Sequence, residues 1–395
     1  MTAPAINHLT RCRFSGAGAA GGPSRERGKV GVPMAKPQED YAETGALARE
    51  MTGPPGPFLL DTKPGMYHYS YDLIKHFNTM QNTTIGAVDI GGTKIAVGIV
   101  NQSGHLLAKN QCPSDAPRGF ENAMQRAMNL LRECEERACA KMAGIGIGSA
   151  GPVDHETGRL GNVNNLPGWE GGNPVEVMSR EFGIPVAMEN DADAAALGEL
   201  RWGSGKSKPR LLYVTVGTGI GVSLILHGAV YRGVRGCHPE IGHHIIDPAG
   251  PSCSCGARGC WESLAAGPAI AAWWRENSPA ANGNAHLTAR EICARADSGD
   301  ELAKRAVERQ AHYLGLGLAN LITSFAPDAI VLGGSVMRSA HLFLDRTREV
   351  IRENCRLVPV DLVEISLASL GPDAGLIGAA QVWNQRFEKS PQGVR

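Results

Sequence analysis

Asp89-Ile-Gly-Gly-Thr-Lys94 puts a carboxylate, two glycines, a hydroxyl and an amine into six consecutive residues. Glycines let backbone N–H groups approach phosphate oxygens, and Thr93 adds a hydroxyl donor. Asp89 is placed to hold Mg2+ through water, since hard cations take oxygen ligands. The run lacks the Gly-x4-Gly-Lys-Ser/Thr spacing of a Walker A loop. It also lacks the helix that follows a dinucleotide fingerprint, because Ile95-Ala-Val-Gly-Ile-Val100 reads as a strand. Alone it fits a plain β-hairpin turn equally well. Thr215-Val-Gly-Thr-Gly-Ile-Gly221 repeats the feature with Gly217, Thr218 and Gly219, and Gly333-Gly334 follows a third apolar run. Three glycine turns after buried strands point to a nucleotide, with Gly333 and Gly334 as a wall for the adenine or ribose.

Phosphoryl transfer to an alcohol needs a base that takes the hydroxyl proton and aims the oxygen at the γ-phosphate. Asp191, in Met188-Glu-Asn-Asp-Ala192, is the candidate. It ends a strand of an α/β pattern, where ligand crevices form. Either Asn190 or Asp191 also suits an N-cap for the alanine-rich helix that follows. Asn165, Asn190, Glu240 and Glu262 are further polar groups suited to a sugar. Glu240 and Glu262 flank a metal-like loop, which leaves open a role as partners of a metal-bound imidazole.

That loop is Pro251-Ser-Cys-Ser-Cys-Gly-Ala-Arg-Gly-Cys260, preceded by His243. His243, Cys253, Cys255 and Cys260 offer one imidazole and three thiolates, the closed tetrahedral set of structural zinc. With no open position, such an ion pins a loop and leaves catalysis to others. His244 is a rival ligand by adjacency, and Cys237 falls outside the cluster.

The elements that must hold these groups come in two similar sets. Residues 84–90, 95–100 and 106–110 read as strand, glycine turn, strand, turn, strand; 210–216, 220–226 and 229–232 repeat the plan. A helix is expected over 119–138 and a buried strand over 143–147. Residues 287–297, 300–325 and 341–354 read as helices, with a strand at 328–332 between them. A chain folded twice on one plan sets its two glycine turns facing each other across a cleft. The expected domains are 83–200 with 376–390, a smaller α/β domain with the first loop and Asp191, and 201–375, a larger one with the second loop, the zinc site and Gly333-Gly334.

Residues 1–82 differ in texture. They are rich in Gly, Pro and Ala, and in the first thirty or so Arg11, Arg13, Arg25, Arg27 and Lys29 face the single acid Glu26. Such a segment buries too little apolar surface to order itself. It is expected to be a disordered extension, or to reflect a start codon assigned too early, with Met66 and Met80 nearer the fold; 41–51 and 71–80 have weak helical character. It lacks the sustained amphipathic period of a transit peptide. The 395 residues suit two or three domains, with 43% hydrophobic and 20% charged residues. A formal net charge of zero argues against nucleic acid or an anionic membrane as a partner. No run spans a bilayer, no secretory signal is visible, and cysteines crowded at a metal-like loop indicate a reducing, cytoplasmic setting.

Asp89-Ile-Gly-Gly-Thr-Lys94, Glu189-Asn-Asp-Ala192, Glu240-Ile-Gly-His243 and the cysteine spacing together resemble the ROK family (repressor, open reading frame, kinase) over roughly residues 83–388. Its catalytic members include bacterial glucokinases and N-acetylmannosamine kinases. The resemblance implies an actin-like ATPase fold (ribonuclease H-like), in which duplicated α/β domains enclose a cleft. It also implies ATP with Mg2+, a hexose phosphorylated at its 6-hydroxyl, and a homodimer or homotetramer. Asp191 would be the base; Asn190, Glu240, His243 and Glu262 would surround the sugar, with His243 shared between sugar and zinc. Trp261-Glu262 is closer to glucokinases than to N-acetylhexosamine kinases, the alternative substrate class. A sugar-sensing repressor would need an N-terminal helix-turn-helix, and the Pro-Gly breaks at 53–57 interrupt any such pair. Cys237, His238 and Pro239 stand where small residues are commoner, which leaves the sugar preference open at that loop.

Overall fold

The computed structural model describes residues 83–279 and 286–388. The weak helices expected at 41–51 and 71–80 lie outside these residues. Two five-stranded sheets form the frame. The first contains β1 (Thr84–Ile90), β2 (Lys94–Asn101), β3 (Leu106–Pro113), β4 (Met142–Ser149) and β7 (Val186–Asn190), in the order β3-β2-β1-β4-β7. A short pair, β5 (Val153–Asp154) and β6 (Arg159–Leu160), stands apart from it. The second contains β8 (Arg210–Val216), β9 (Ile220–Leu226), β10 (Ala229–Val230), β11 (Ala329–Gly333) and β12 (Glu364–Leu367), in the order β10-β9-β8-β11-β12. Both sheets follow one plan. Three antiparallel strands lead, and two strands parallel to the first complete the sheet. The duplication read from the glycine turns is therefore present in the pairing itself.

Nine helices cover these sheets in the described residues: α1 (Phe120–Ala138), α2 (Pro174–Phe182), α3 (Asp191–Trp202), α4 (Trp261–Ala265), α5 (Gly267–Asn277), α6 (Ala289–Asp297), α7 (Glu301–Phe325), α8 (Leu344–Asn354) and α9 (Ala374–Phe387). Central strands with both faces covered need continuous apolar runs, which explains sequences such as Leu211-Leu-Tyr-Val-Thr-Val216. α1 lays Phe120, Met124, Met128 and Leu131 on one face of the first sheet. On the opposite face, Leu376, Ala379 and Ala380 of α9 meet Ile85, Ala87 and Val100. α7 packs Leu314, Leu318 and Ile322 beneath the second sheet, with the fully buried Trp261.

A third cluster joins the sheets. It holds Ala194–Leu197 of α3, Ala374 and Val382 of α9, Leu211 and Tyr213 of β8, and Val331 of β11. Here the helices touch backbone to backbone. A Cβ placed on Gly378 would lie 2.0 Å from the Ala194 carbonyl oxygen, and one on Gly198 would lie 2.9 Å from the Gly378 Cα. The alanine-rich stretch of α3 is what this closeness requires.

Several limits differ from expectation. β3 runs on to Pro113 because its register with β2 continues to Lys94. β10 pairs only at Ala229 and Val230, short of the expected 232. α6 starts at Ala289, since Thr288 and Glu291 form a reciprocal capping box. α8 starts at Leu344, after a 3-10 segment at Val336–Leu342. β12, α2, α4 and α5 have short or weakly periodic sequences and were not expected as elements.

Replacement of Gly378 by alanine is expected to lower stability by about 1–3 kcal/mol, the usual cost of overpacking. Chemical denaturation measures it, and an unchanged midpoint would contradict the backbone contact.

Candidate functional site

One cavity of about 550 Å3 is lined by Gly333 and Gly334 and by residues that flank the two glycine turns, while Gly91, Gly92, Thr93, Gly217, Thr218 and Gly219 themselves are not part of its lining. Asp89, Lys94, Asp191, Thr215, Gly333 and Gly334 are among its lining residues. The first turn links β1 to β2. Gly91 N–H donates to the Lys94 carbonyl at 2.9 Å, and the Ser114 hydroxyl donates to the Gly91 carbonyl. Asn165 packs on this turn, since a Cβ on Gly92 would sit 2.5 Å from the Asn165 Cβ. Thr93 and Lys94 are exposed, free to meet a ligand.

Gly217, Thr218 and Gly219 form the second turn, between β8 and β9. Gly267 N–H at the start of α5 donates to the Gly217 carbonyl at 2.8 Å. Glu262 Oε2 accepts the Ile220 N–H at 3.0 Å. Glu262, expected near sugar, therefore has one oxygen committed to the second glycine hairpin. Gly334 takes φ 94° and lies so close to β8 that a Cβ would be 2.3 Å from the Val216 carbonyl oxygen. Both facts demand glycine there.

The capping alternative resolves in favour of Asn190. Its Oδ1 accepts the N–H groups of Ala192 at 2.9 Å and Asp193 at 3.4 Å. Asn190 keeps its amide nitrogen, next to Gly151. Asp191 opens α3 half-buried, with Oδ1 on the Ala192 N–H at 2.9 Å. Burial raises its pKa; the Ala192 N–H and the nearby His238 charge pull the other way. Asp89 is pushed up to about 6, by burial first and by the Asp191 charge second, against Lys94. Two desolvated carboxylates facing one cavity suit a divalent cation, which would stabilise both charges.

His243 ends a 3-10 turn, Ile241–His243. Its ring joins Cys253, Cys255 and Cys260, with all four ligand atoms within 4.8 Å of one another. Cys253 Sγ lies 3.4 Å from His243 Nδ1, and Cys255 Sγ lies 3.6 Å from Cys260 Sγ. Two zinc–sulfur bonds of about 2.3 Å at the tetrahedral angle put their sulfurs about 3.8 Å apart. The donor set and its spacing thus fit zinc. Burial, then the adjoining thiols, push Cys260 up to about 12, while the Ala257 N–H pulls Cys255 below its usual value. A thiol pushed up that far ionises readily only on a metal. His244 turns away: its Nδ1 bonds to the Ile241 carbonyl at 2.7 Å and its ring packs on Trp261. Glu240 is exposed, and its carbonyl accepts the His243 N–H at 3.0 Å.

Sequence reasoning missed a charged group behind Asp191. Asp193, 1% exposed, accepts from the Ser223 hydroxyl at 2.6 Å and from His238 Nδ1 at 2.9 Å. Arg232 lies 3.8 Å from Asp193 and bonds closely to Glu189, whose pKa burial pushes up to about 7. The available signal was alternation: Glu189, Asp191 and Asp193 are acids two apart across a strand-to-helix junction.

Comparison with known proteins agrees with this geometry. The ROK family matches residues 85–386. A glucokinase from Streptomyces coelicolor is 32% identical over 317 residues, covering 76% of this chain and 96% of that protein. A xylose repressor from Bacillus subtilis is 31% identical over 246 residues, 62% of each chain. The crystal structure of a ROK family glucokinase from Streptomyces griseus, in complex with glucose and AMPPNP, superposes with a TM-score of 0.66 at 31% identity, covering 76% of this chain and 98% of that one. Among the described residues no helix is long and apolar enough to cross a membrane. Together with the duplicated sheets, these matches make the chain a member of the ROK family and a sugar kinase.

Proposed function

We propose that this kinase transfers the γ-phosphoryl group of ATP to the 6-hydroxyl of a hexose, with glucose as the first substrate to test. The carrying observation is that Asp191 shares one cavity with Lys94 of the first glycine hairpin, Thr215 beside the second, and Gly333-Gly334. In this reading the hairpin N–H groups hold phosphate, and Gly333 and Gly334 border the nucleoside. Asp89 helps hold Mg2+ through water. Asp191 accepts the hydroxyl proton as the oxygen attacks phosphorus. Asn165, Asn190, Glu240, His243 and Glu262 contact the sugar. Zinc held by His243, Cys253, Cys255 and Cys260 fixes the loop between Glu240 and Glu262. Residues 83–200 with 376–390 act as one lobe and 201–375 as the other, in a dimer or tetramer. The glucokinase names of similar proteins support glucose.

An ADP-release assay across hexoses and N-acetylhexosamines tests the substrate. No turnover with any hexose would refute the reading. Asp191→Asn should lower kcat by about 10²–10⁴-fold, the range for a lost general base. The KM for sugar should stay within about threefold, and retained kcat would remove Asp191 from the mechanism.

The base acts only when ionised, and burial raises its pKa. Activity is therefore present above that raised value and lost as pH falls through it. The acid limb of kcat/KM should lie above the usual aspartate value of about 3.9. A limb at or below that value would show that Asp191 is not desolvated in the free enzyme.

About one zinc per chain is expected by elemental analysis, from the four-ligand set. Cys255→Ser should lose it and raise the sugar KM. A zinc-free variant with unchanged KM would sever the metal from sugar binding.

A further inference from the structure

His238 has no part in the reading above, yet it is the best-anchored side chain near Asp191. Its Nδ1 lies 2.9 Å from Asp193 Oδ2. A carboxylate at neutral pH accepts only, so Nδ1 carries the proton. The anchor is itself fixed: Asp193 is 1% exposed, sits in the first turn of α3, and takes the Ser223 hydroxyl on its other oxygen at 2.6 Å. Arg232 makes its nearer contact with Glu189, so His238 is the closest cationic partner of Asp193. The His238 side chain is 12% exposed, and among the described residues Nε2 has no protein partner.

The ring lies close enough to Asp191 and Glu240 to feel both charges. Burial works against the imidazolium, but the Asp193 hydrogen bond and the charges of Asp193, Glu240 and Asp191 outweigh it. With Nδ1–H committed to Asp193, Nε2 is the ring's free polar atom and donates when the ring is an imidazolium. Asp191 and Glu240, both near enough to act on the ring, are acceptors. A sugar hydroxyl both gives and takes a hydrogen bond, so a donor beside these carboxylates completes the set.

We propose that His238, oriented by Asp193, is a specificity-determining residue that donates from Nε2 to one hydroxyl of the sugar other than the one phosphorylated. This rests on the hexose kinase reading, and the experiment separates the two. kcat/KM is measured for glucose and its 1-, 2-, 3- and 4-deoxy analogues with the wild-type chain, His238→Ala, His238→Gln and Asp193→Asn. Sugar binding is followed by calorimetry in parallel.

One deoxy position should cost the wild type about 10- to 100-fold, the worth of a hydrogen bond from a charged donor. His238→Ala should lose that factor on glucose and nothing on the matching analogue, so the penalty at that position disappears while the others stay. His238→Gln, which keeps a donor, should recover part of it. Asp193→Asn should act in the same direction as the alanine variant. An equal loss on every analogue, or none on any, would overturn the role of His238, and thermal melting separates either from misfolding. Sugar binding that depends on His238 without turnover would sink the kinase reading and leave His238 standing.

Discussion

Helices α3 and α9 meet backbone to backbone at Gly198 and Gly378, and the site depends on that contact. The Gly378 Cα lies against the Ala194 carbonyl, and Gly198 lies against Gly378. Each helix then presents its N-terminal end to the cavity. α3 begins with Asp191. α9 begins beside Asp89, so closely that a Cβ on Gly375 would lie 2.5 Å from Asp89 Oδ2. The wholly buried Glu199 ties the other end of α3 to the approach to α9 by accepting the N–H groups of Ser204 at 2.8 Å and Leu370 at 2.9 Å. Small residues here set where two acids stand relative to each other.

Those acids are held at an electrostatic disadvantage. Asp89 and Asp191 are desolvated and repel each other, and Lys94 offsets part of this for Asp89. Asp193 adds negative charge behind Asp191, which His238 partly offsets. A cavity lined by Asp89 and Asp191 together with Lys94, Thr215 and Gly333-Gly334 repels a bare anion and admits one accompanied by a cation. This is the charge pattern a metal–nucleotide complex carries.

Much of this was legible in the sequence because it is local. Glycine turns sit where β-branched runs end, and that pattern gave β1, β2, β8 and β9 with both hairpins. The ligand cluster lies within eighteen residues, and its spacing alone named the four members. What stayed hidden is long-range or weakly patterned. His238 and Asp193 are 45 residues apart, so neither residue type predicts the other. The hydrogen bond from Ile220 N–H to Glu262 spans 42 residues, so nothing in the local sequence announces it. Asn190 and Asp191 suit a cap equally by type, and only backbone geometry separates them.

The link between the metal loop and the nucleotide side has the same long-range character. Cys260 is followed by Trp261, which is fully buried, stands against Gly317 and donates its indole N–H to the Tyr313 carbonyl at 3.0 Å. Glu262 comes next and holds the second glycine hairpin. Three consecutive residues thus belong to the metal cluster, the core and the hairpin. His243, ten residues before Cys253, joins the cluster from the side of Glu240. An ion bound by these four ligands would brace the loop that carries Glu240 and, through Glu262, the second glycine hairpin. A closed tetrahedral site does this by fixing backbone, because it has no open position left for a ligand.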